Sequence, residues 1–101
     1  MSKRKHLIIG CGSAGLSALK QMRKLGSDDE IKLVAMEECR PYSPMSLPYL
    51  ISGRRAESEI YLTEGGFFDK MDASLVTGRR AESIDTRQRC VVYDNGESDA
   101  F

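Results

Sequence analysis

Near the start of the chain, Gly10-Cys11-Gly12-Ser13-Ala14-Gly15 has the spacing G-x-G-x-x-G, a pattern that works only where a buried strand turns sharply into a helix. The first glycine makes the turn, the second lets a pyrophosphate approach the backbone, and the third lets helix and strand pack closely. Both flanks meet this condition. Leu7, Ile8 and Ile9 form a short, branched apolar run suited to a buried parallel strand. From Ala14 the period becomes helical: Leu16, Ala18, Leu19, Met22 and Leu25 share one stripe, while Lys20, Gln21, Arg23 and Lys24 take the other side. Gly26 supplies the stop, and the cations before it suit the negative end of the helix dipole. After a polar turn from Ser27 to Glu30, Ile31 to Met36 reads as a second strand. Residues 6 to 36 are therefore expected to form a βαβ unit with a right-handed crossover.

The remainder divides at its turn residues. Pro41, Pro44 and Pro48 make residues 39 to 53 irregular, with one helical turn at Leu47 to Ile51. A short helix is expected around Phe67 to Met71, and Ser74 to Gly78 reads as a third parallel strand. "AESID", "RCVVYD" and "ESDAF" then form a small antiparallel meander, with turns at Thr86-Arg87-Gln88 and Asn95-Gly96. The expected fold is thus α/β: a Rossmann-like βαβ unit with a parallel sheet, its third strand and a β-meander occupying residues 74 to 101. "GRRAES" occurs twice, at Gly53 to Ser58 and Gly78 to Ser83. The flanking residues do not match, so coincidence is preferred to a repeat architecture.

Composition narrows the partners. Fifteen Lys and Arg balance fifteen Asp and Glu, and each basic pair, Arg54-Arg55 and Arg79-Arg80, meets a glutamate two residues later. No basic face advertises nucleic acid or an anionic membrane. Cys11, Cys39 and Cys90 are widely spaced, with His6 the sole histidine, which argues against zinc and a disulfide framework and for a reducing compartment. The apolar run before Gly10 is too short for a signal peptide, and no stretch has membrane-spanning length. A cytoplasmic protein is expected.

The glycine loop and the helix it opens would place backbone N–H groups and a positive dipole end against phosphates. In such units an acid about 20 residues further on holds ribose hydroxyls. Glu37 and Glu38 lie there, although the usual place, directly after four strand residues, falls on Ala35. Glu37 is the candidate, displaced by two residues, and Glu38 reads as a solvated side chain. The competing reading of the motif is a tight turn that binds nothing. Cys11 reads as a small space-filler, Phe67, Phe68 and Met71 as core, and Asp85 and Asp94 as turn residues.

The stretch from His6 to Gly53, combining the glycine loop with P-Y-S-P-x-x-L-P-Y-x-x-x-G, resembles the amino-terminal FAD-binding segment of the pyridine nucleotide-disulfide oxidoreductase superfamily. The likeness is greatest to the branch of coenzyme A-disulfide reductases, NADH oxidases, nitrite reductase large subunits and ferredoxin or rubredoxin reductases. It continues through "SLVTGRRAESIDTRQRCVVYDNGE" and so covers effectively the whole chain. The resemblance implies an FAD pyrophosphate over Gly10, Gly12, Ser13, Ala14 and Gly15, the adenosine ribose near Glu37, and adenine against backbone around Ala81. Ser43 would run past the flavin end and Arg40 would reach a phosphate. Met45 stands where several relatives carry a redox cysteine, and Tyr49 where ferredoxin-reductase relatives carry a lysine. Neither thiol-disulfide cycling nor a copied ferredoxin-reductase site is therefore implied.

Members of the superfamily continue for several hundred residues into an NAD(P)H domain. The implied role is the amino-terminal, FAD-holding part of an NAD(P)H-dependent flavoprotein, catalytically incomplete alone. The alternative is a non-catalytic nucleotide-binding subunit or regulatory module. A nicotinamide-first dehydrogenase would want an acid at Ala35 and leaves the proline-rich loop unexplained. FAD is the expected ligand, with no nucleic-acid or membrane partner, and a second copy or partner subunit is expected over the third strand's open edge.

Overall fold

A computed structural model of the chain describes residues 4–38, 41–63 and 65–101. Three parallel strands, β1 (Lys5–Ile9), β2 (Glu30–Val34) and β3 (Ala73–Val76), form one sheet in the order β1-β2-β3. Helix α1 (Ser13–Lys24) links β1 to β2; the short helices α2 (Leu47–Ile51) and α3 (Phe67–Lys70) precede β3. An antiparallel sheet of β4 (Ala81–Asp85), β5 (Cys90–Tyr93) and β6 (Ser98–Ala100) follows. This is the Rossmann-like α/β arrangement with a meander that the residue pattern predicts.

Strand alternation allots the core. On β2, Ile31 and Leu33 face one side and pack with Leu19, the cluster being extended by Ile8, Met22, Phe67, Phe68, Met71 and Leu75. Val34 faces the other side and packs with Val91 and Tyr93 of the meander, joined by Leu7 and Ala81. The parallel sheet is thus covered by helices on one face and by the meander on the other, which is why Ile31, Leu33 and Val34 of β2 are all buried. Phe67, Phe68 and Met71 are core, as expected.

Lys32, on the same face of β2 as Val34, reaches the meander. Its Nζ donates to Asp99 Oδ1 at 2.9 Å, and the Tyr93 hydroxyl donates to Asp99 Oδ2 at 2.8 Å. The Lys32 hydrogen bond holds the Asp99 carboxyl below its usual range, with the Tyr93 bond acting in the same sense against a partial desolvation. Burial, then the Asp99 hydrogen bond, pushes the Tyr93 phenol above its own. A depressed carboxyl stabilises the fold above the unfolded value, near 3.9 for Asp, and that contribution disappears as pH falls through the folded value. A raised phenol contributes below about pH 10 and loses its contribution as pH rises through the folded value. Stability should be level between about pH 5 and 9 and fall on both sides. Asp99→Asn should be less stable than the parent at pH 7, the gap closing below about pH 4; thermal melts across pH check this.

Three details differ from the pattern. Strand β2 ends at Val34 rather than Met36. The Ala35 N–H still donates to the Val76 carbonyl at 2.8 Å, but the Ala35 carbonyl accepts from the Arg79 N–H after the chain has turned at Gly78 (φ +70°). The ladder has run out, and Met36 is 64% exposed. Second, Ala18 and Leu25 are exposed: Leu25 is already the C-cap of α1, where Gly26 (φ +89°) closes the helix with its N–H on the Arg23 carbonyl and the Ser27 N–H on the Met22 carbonyl. Third, Arg23 follows Leu16 by seven residues and Leu19 by four, which places it on the inner stripe. Its guanidinium donates to four carbonyls: Met71 (2.6 Å), Ser27 (2.9 Å), Asp29 (2.9 Å) and Asp72 (2.8 Å).

His6, at the opposite end of the sheet from the glycine loop, pairs through Nε2 with Asp29 Oδ2 at 2.8 Å. The two "GRRAES" copies have unlike structures. The Arg54 and Arg55 amides close α2 on the Tyr49 carbonyl, whereas the Arg79 amide bonds Ala35 and Ala81 opens β4. Both β1 and β3 are outer strands of their sheet, so the open edge expected at the third strand has a counterpart at β1.

Candidate functional site

The turn out of β1 is built by the backbone. Gly10 donates its N–H to the Val34 carbonyl at 2.8 Å and takes φ +101°, a conformation that favours glycine. Gly12 is the N-cap of α1; its carbonyl accepts the Leu16 N–H at 3.0 Å, and no side chain among the described residues caps the helix. The first-turn amides of Ser13, Ala14 and Gly15 are therefore left for an external acceptor, at the positive end of a 12-residue helix. A β-carbon on Gly12 would meet nothing within 4 Å, whereas one on Gly15 would fall 2.4 Å from the Gly10 carbonyl oxygen and 3.3 Å from Ile8 Cγ2. Gly12 thus keeps a space open, and Gly15 lets the helix touch the turn.

That space is a cavity of about 250 Å³ lined by Gly10, Cys11, Gly12, Ala35, Met36, Glu37, Pro41, Tyr42 and Pro44. Whole small-molecule sites run to roughly 300–1,000 Å³, so the cavity has room for part of a dinucleotide. Cys11 packs against the helix-side core, and burial raises its thiol above the usual range, which leaves it a poor nucleophile. On the same cavity as the glycines, Glu37 accepts a hydrogen bond from the Tyr42 hydroxyl at 3.2 Å.

The far wall is the proline-rich segment, ordered by a partner that its composition does not reveal. Tyr42 and Tyr61 form an antiparallel bridge, the Ser43 N–H donates to the Ile60 carbonyl at 2.8 Å, and the Leu62 N–H donates to the Pro41 carbonyl at 2.9 Å. Pro41, Ser46, Ile60 and Thr63 are buried. Residues 41–43 and 60–62 thereby make a short ribbon that carries Tyr42 to the cavity mouth.

Of the residues singled out by sequence, Gly10, Gly12 and Glu37 meet on this cavity, and Ser13, Ala14 and Gly15 form the adjoining helical turn. Ser43 lies in the ribbon beside the lining residue Pro44. Ala81 sits in β4, packed against the meander-side core and outside the lining. Arg40 lies outside the described residues. Glu38 is exposed, with its carboxylate 2.8 Å from the position a β-carbon on Gly78 would take. Met45 is 86% exposed. Among the described residues there is no group of three or more His, Cys, Asp or Glu placed to hold a metal ion, and no helix long and apolar enough to cross a membrane.

No protein-family model matches the chain. The NADH-rubredoxin oxidoreductase of Clostridium acetobutylicum is 31% identical over 97 residues, which cover 96% of this chain and 25% of that protein. The crystal structure of NADH:rubredoxin oxidoreductase from Clostridium acetobutylicum superimposes with a TM-score of 0.84 at 29% identity, over 98% of this chain and 26% of that one. The chain belongs to the pyridine nucleotide-disulfide oxidoreductase superfamily. It corresponds to an amino-terminal portion of such reductases and spans about a quarter of the length of the curated relatives it matches. A putidaredoxin reductase in covalent complex with putidaredoxin shares the superfamily fold, with a TM-score of 0.91 at 20% identity, over 100% of this chain and 24% of that one.

Within this superfamily portion, the sequence leaves Tyr42 open between flanking a flavin and packing the loop, and the structure places it on the cavity lining with Glu37 as a partner. The available signal was the pairing of two short tyrosine-centred segments, "PYS" and "IYL". Two such segments 19 positions apart are not distinguishable from loop by periodicity.

Proposed function

We propose that the chain holds the ADP moiety of FAD in an NAD(P)H-dependent flavoprotein oxidoreductase. The observation that carries this reading is a cavity lined by Gly10, Gly12 and Glu37 that adjoins the first turn of α1, whose N-cap offers no side-chain bond. The amides of Ser13, Ala14 and Gly15 would hold the pyrophosphate, and Gly12 would let it approach. Glu37 would accept hydrogen bonds from the adenosine ribose. Ser43, beside Pro44, would border the path toward the flavin, and Ala81 and Arg40 would lie toward the adenine and a phosphate. Bound FAD would supply the hydride and electron chemistry, while these residues would bind and orient its ADP moiety. The Met45 thioether forms no thiolate, so this chain adds no thiol-disulfide step at that position.

Hydride transfer and the electron acceptor belong, in this proposal, to a whole protein about four times as long, as in the relatives. A partner subunit or further chain would cover the outer strands β1 and β3. Cytoplasmic placement is part of the same proposal, supported by the free thiols of Cys11 and Cys90.

Titration of the chain with FAD, ADP and NAD tests the reading. FAD and ADP should bind; binding of neither would sink it. Gly12→Ala should melt within a few degrees of the parent, because a β-carbon there meets nothing within 4 Å at a φ of −89° that any residue adopts. The variant should bind ADP at least about tenfold more weakly, the equivalent of losing ~1.4 kcal/mol of phosphate contact.

A further inference from the structure

We propose that Asn95 deamidates spontaneously when its turn opens, and that the isoaspartyl product releases strand β6 from the parallel sheet. The site lies outside the cavity and does not depend on the nucleotide-binding reading. Asn95 is the sole asparagine of the chain and precedes Gly96, in the exposed turn that joins β5 to β6. Glycine has no β-carbon to hinder approach of its own nitrogen. That nitrogen loses its proton and bonds to Asn95 Cγ; ammonia leaves with the proton, and a succinimide ring closes. Water then opens the ring at either carbonyl, giving aspartate or isoaspartate. Water is the only co-reactant.

The turn holds both reacting groups. The Gly96 N–H donates to the Tyr93 carbonyl at 3.0 Å, and Asn95 Oδ1 accepts the Glu97 N–H at 3.0 Å. The first bond withholds the nucleophile, because the nitrogen attacks only once its proton is gone. Asp94 to Glu97 are all exposed, whereas Val91 and Tyr93 before them are buried, so the turn opens at a lower cost than the strands. Isoaspartate routes the main chain through the side chain and lengthens it by one methylene between residues 95 and 96. The Gly96 bond, and the 2.8 Å bond from the Tyr93 N–H to the Glu97 carbonyl, require the original spacing. Without them β6 loses its register on β5. Asp99 of β6 then leaves Lys32 of β2 and the Tyr93 hydroxyl, its partners at 2.9 Å and 2.8 Å. The aspartyl product has no such effect, since it keeps the backbone and an oxygen for the Glu97 N–H.

Incubation of the folded 101-residue chain in mildly alkaline buffer, beside a sample unfolded in urea, tests this. Peptide mass spectrometry with electron-transfer fragmentation follows residue 95 and separates isoaspartate from aspartate. The folded chain should react measurably, at least about tenfold more slowly than the unfolded one, as expected for an opening that costs ~1.4 kcal/mol or more. The isoaspartyl protein, isolated by chromatography, should melt at least about 5 °C below the parent, and Asp99→Asn should add no further loss to it. Asn95→Asp should melt as the parent does. Equal rates in the two samples would show that no opening step is needed, and a folded chain that does not react while the unfolded one is consumed would show that the turn opens only on global unfolding. An isoaspartyl protein that melts with Asn95→Asp, or that still loses stability on Asp99→Asn, would show that β6 stays attached. Each of these results overturns the inference.

Discussion

Gly15→Ala is expected to destabilise the chain by about 3 kcal/mol, the upper end of the usual range for an overpacked site. The added β-carbon would lie 2.4 Å from the Gly10 carbonyl oxygen and 3.3 Å from Ile8 Cγ2. Two effects compete. Alanine in a helix gains about 0.5–1 kcal/mol over glycine, but the obstacle is a backbone atom of the turn, which cannot swing aside as a side-chain tip would. Relief requires α1 to lift from β1, and that opens the contact of Leu19 with Ile31 and Leu33 at the centre of the helix-side core. The clash should prevail, lowering the melting temperature by roughly 12 °C or more for a domain of this size. Gly15→Val should leave little folded protein. Circular dichroism melts of Gly12→Ala beside Gly15→Ala give the comparison: Gly12→Ala should melt close to the parent. If Gly15→Ala melted as high as Gly12→Ala, close packing would not be the reason for the third glycine.

The second large effect is expected at Arg23. One guanidinium bonds four carbonyls belonging to two separate loops, 27–29 after α1 and 71–72 before β3. Charge-assisted hydrogen bonds are worth about 1.5–3 kcal/mol each where water is excluded. Here the sites are half-buried or exposed, so Arg23→Ala should cost about 2–3 kcal/mol in total. Lysine separates charge from shape. It keeps the favourable charge at the helix C-terminus, about 0.3–1 kcal/mol, but a single ammonium cannot span four carbonyls arranged around a planar fork. Arg23→Lys should therefore recover less than half of the loss, read as the urea midpoint at constant slope. Equal stability of arginine and lysine at this position would mean that the helix dipole accounts for the whole effect. Nucleotide affinity should be unaffected, because the clamp lies at the end of α1 remote from Gly12.

Sequence and structure agree most closely where the governing interaction is local. A strand followed by glycines, then a helical stripe closed by Gly26, can be read from spacing alone. Backbone φ demands at Gly10 and Gly26, N-capping at Gly12 and the close approach at Gly15 all act within a few residues. The meander was legible for the same reason, since Asp85 accepts the Arg87 and Gln88 amides of its own turn and Asn95-Gly96 closes the next. Of the site, the phosphate-side glycines and Glu37 were visible because one motif and one spacing rule relate them.

The parts that needed tertiary structure involve partners distant along the chain. Arg23 was assigned to the solvent side because arginine is usually exposed, yet its inward place follows once loop 71–72 is brought beside the end of α1. The end of β2 was placed two residues late, since a ladder stops where its neighbour turns, and that turn, at Gly78, belongs to a different part of the chain. Tyr42 was left undecided between cavity and packing because its backbone is fixed by residues 60–62. Local sequence, then, determined the βαβ unit, the glycine turn and the meander through short-range sterics and hydrogen bonds. Only the folded chain decided which loop the Arg23 clamp gathers, how the proline-rich segment closes over the glycines, and that Glu37 and Tyr42 meet there, since those contacts depend on long-range packing that no local pattern encodes.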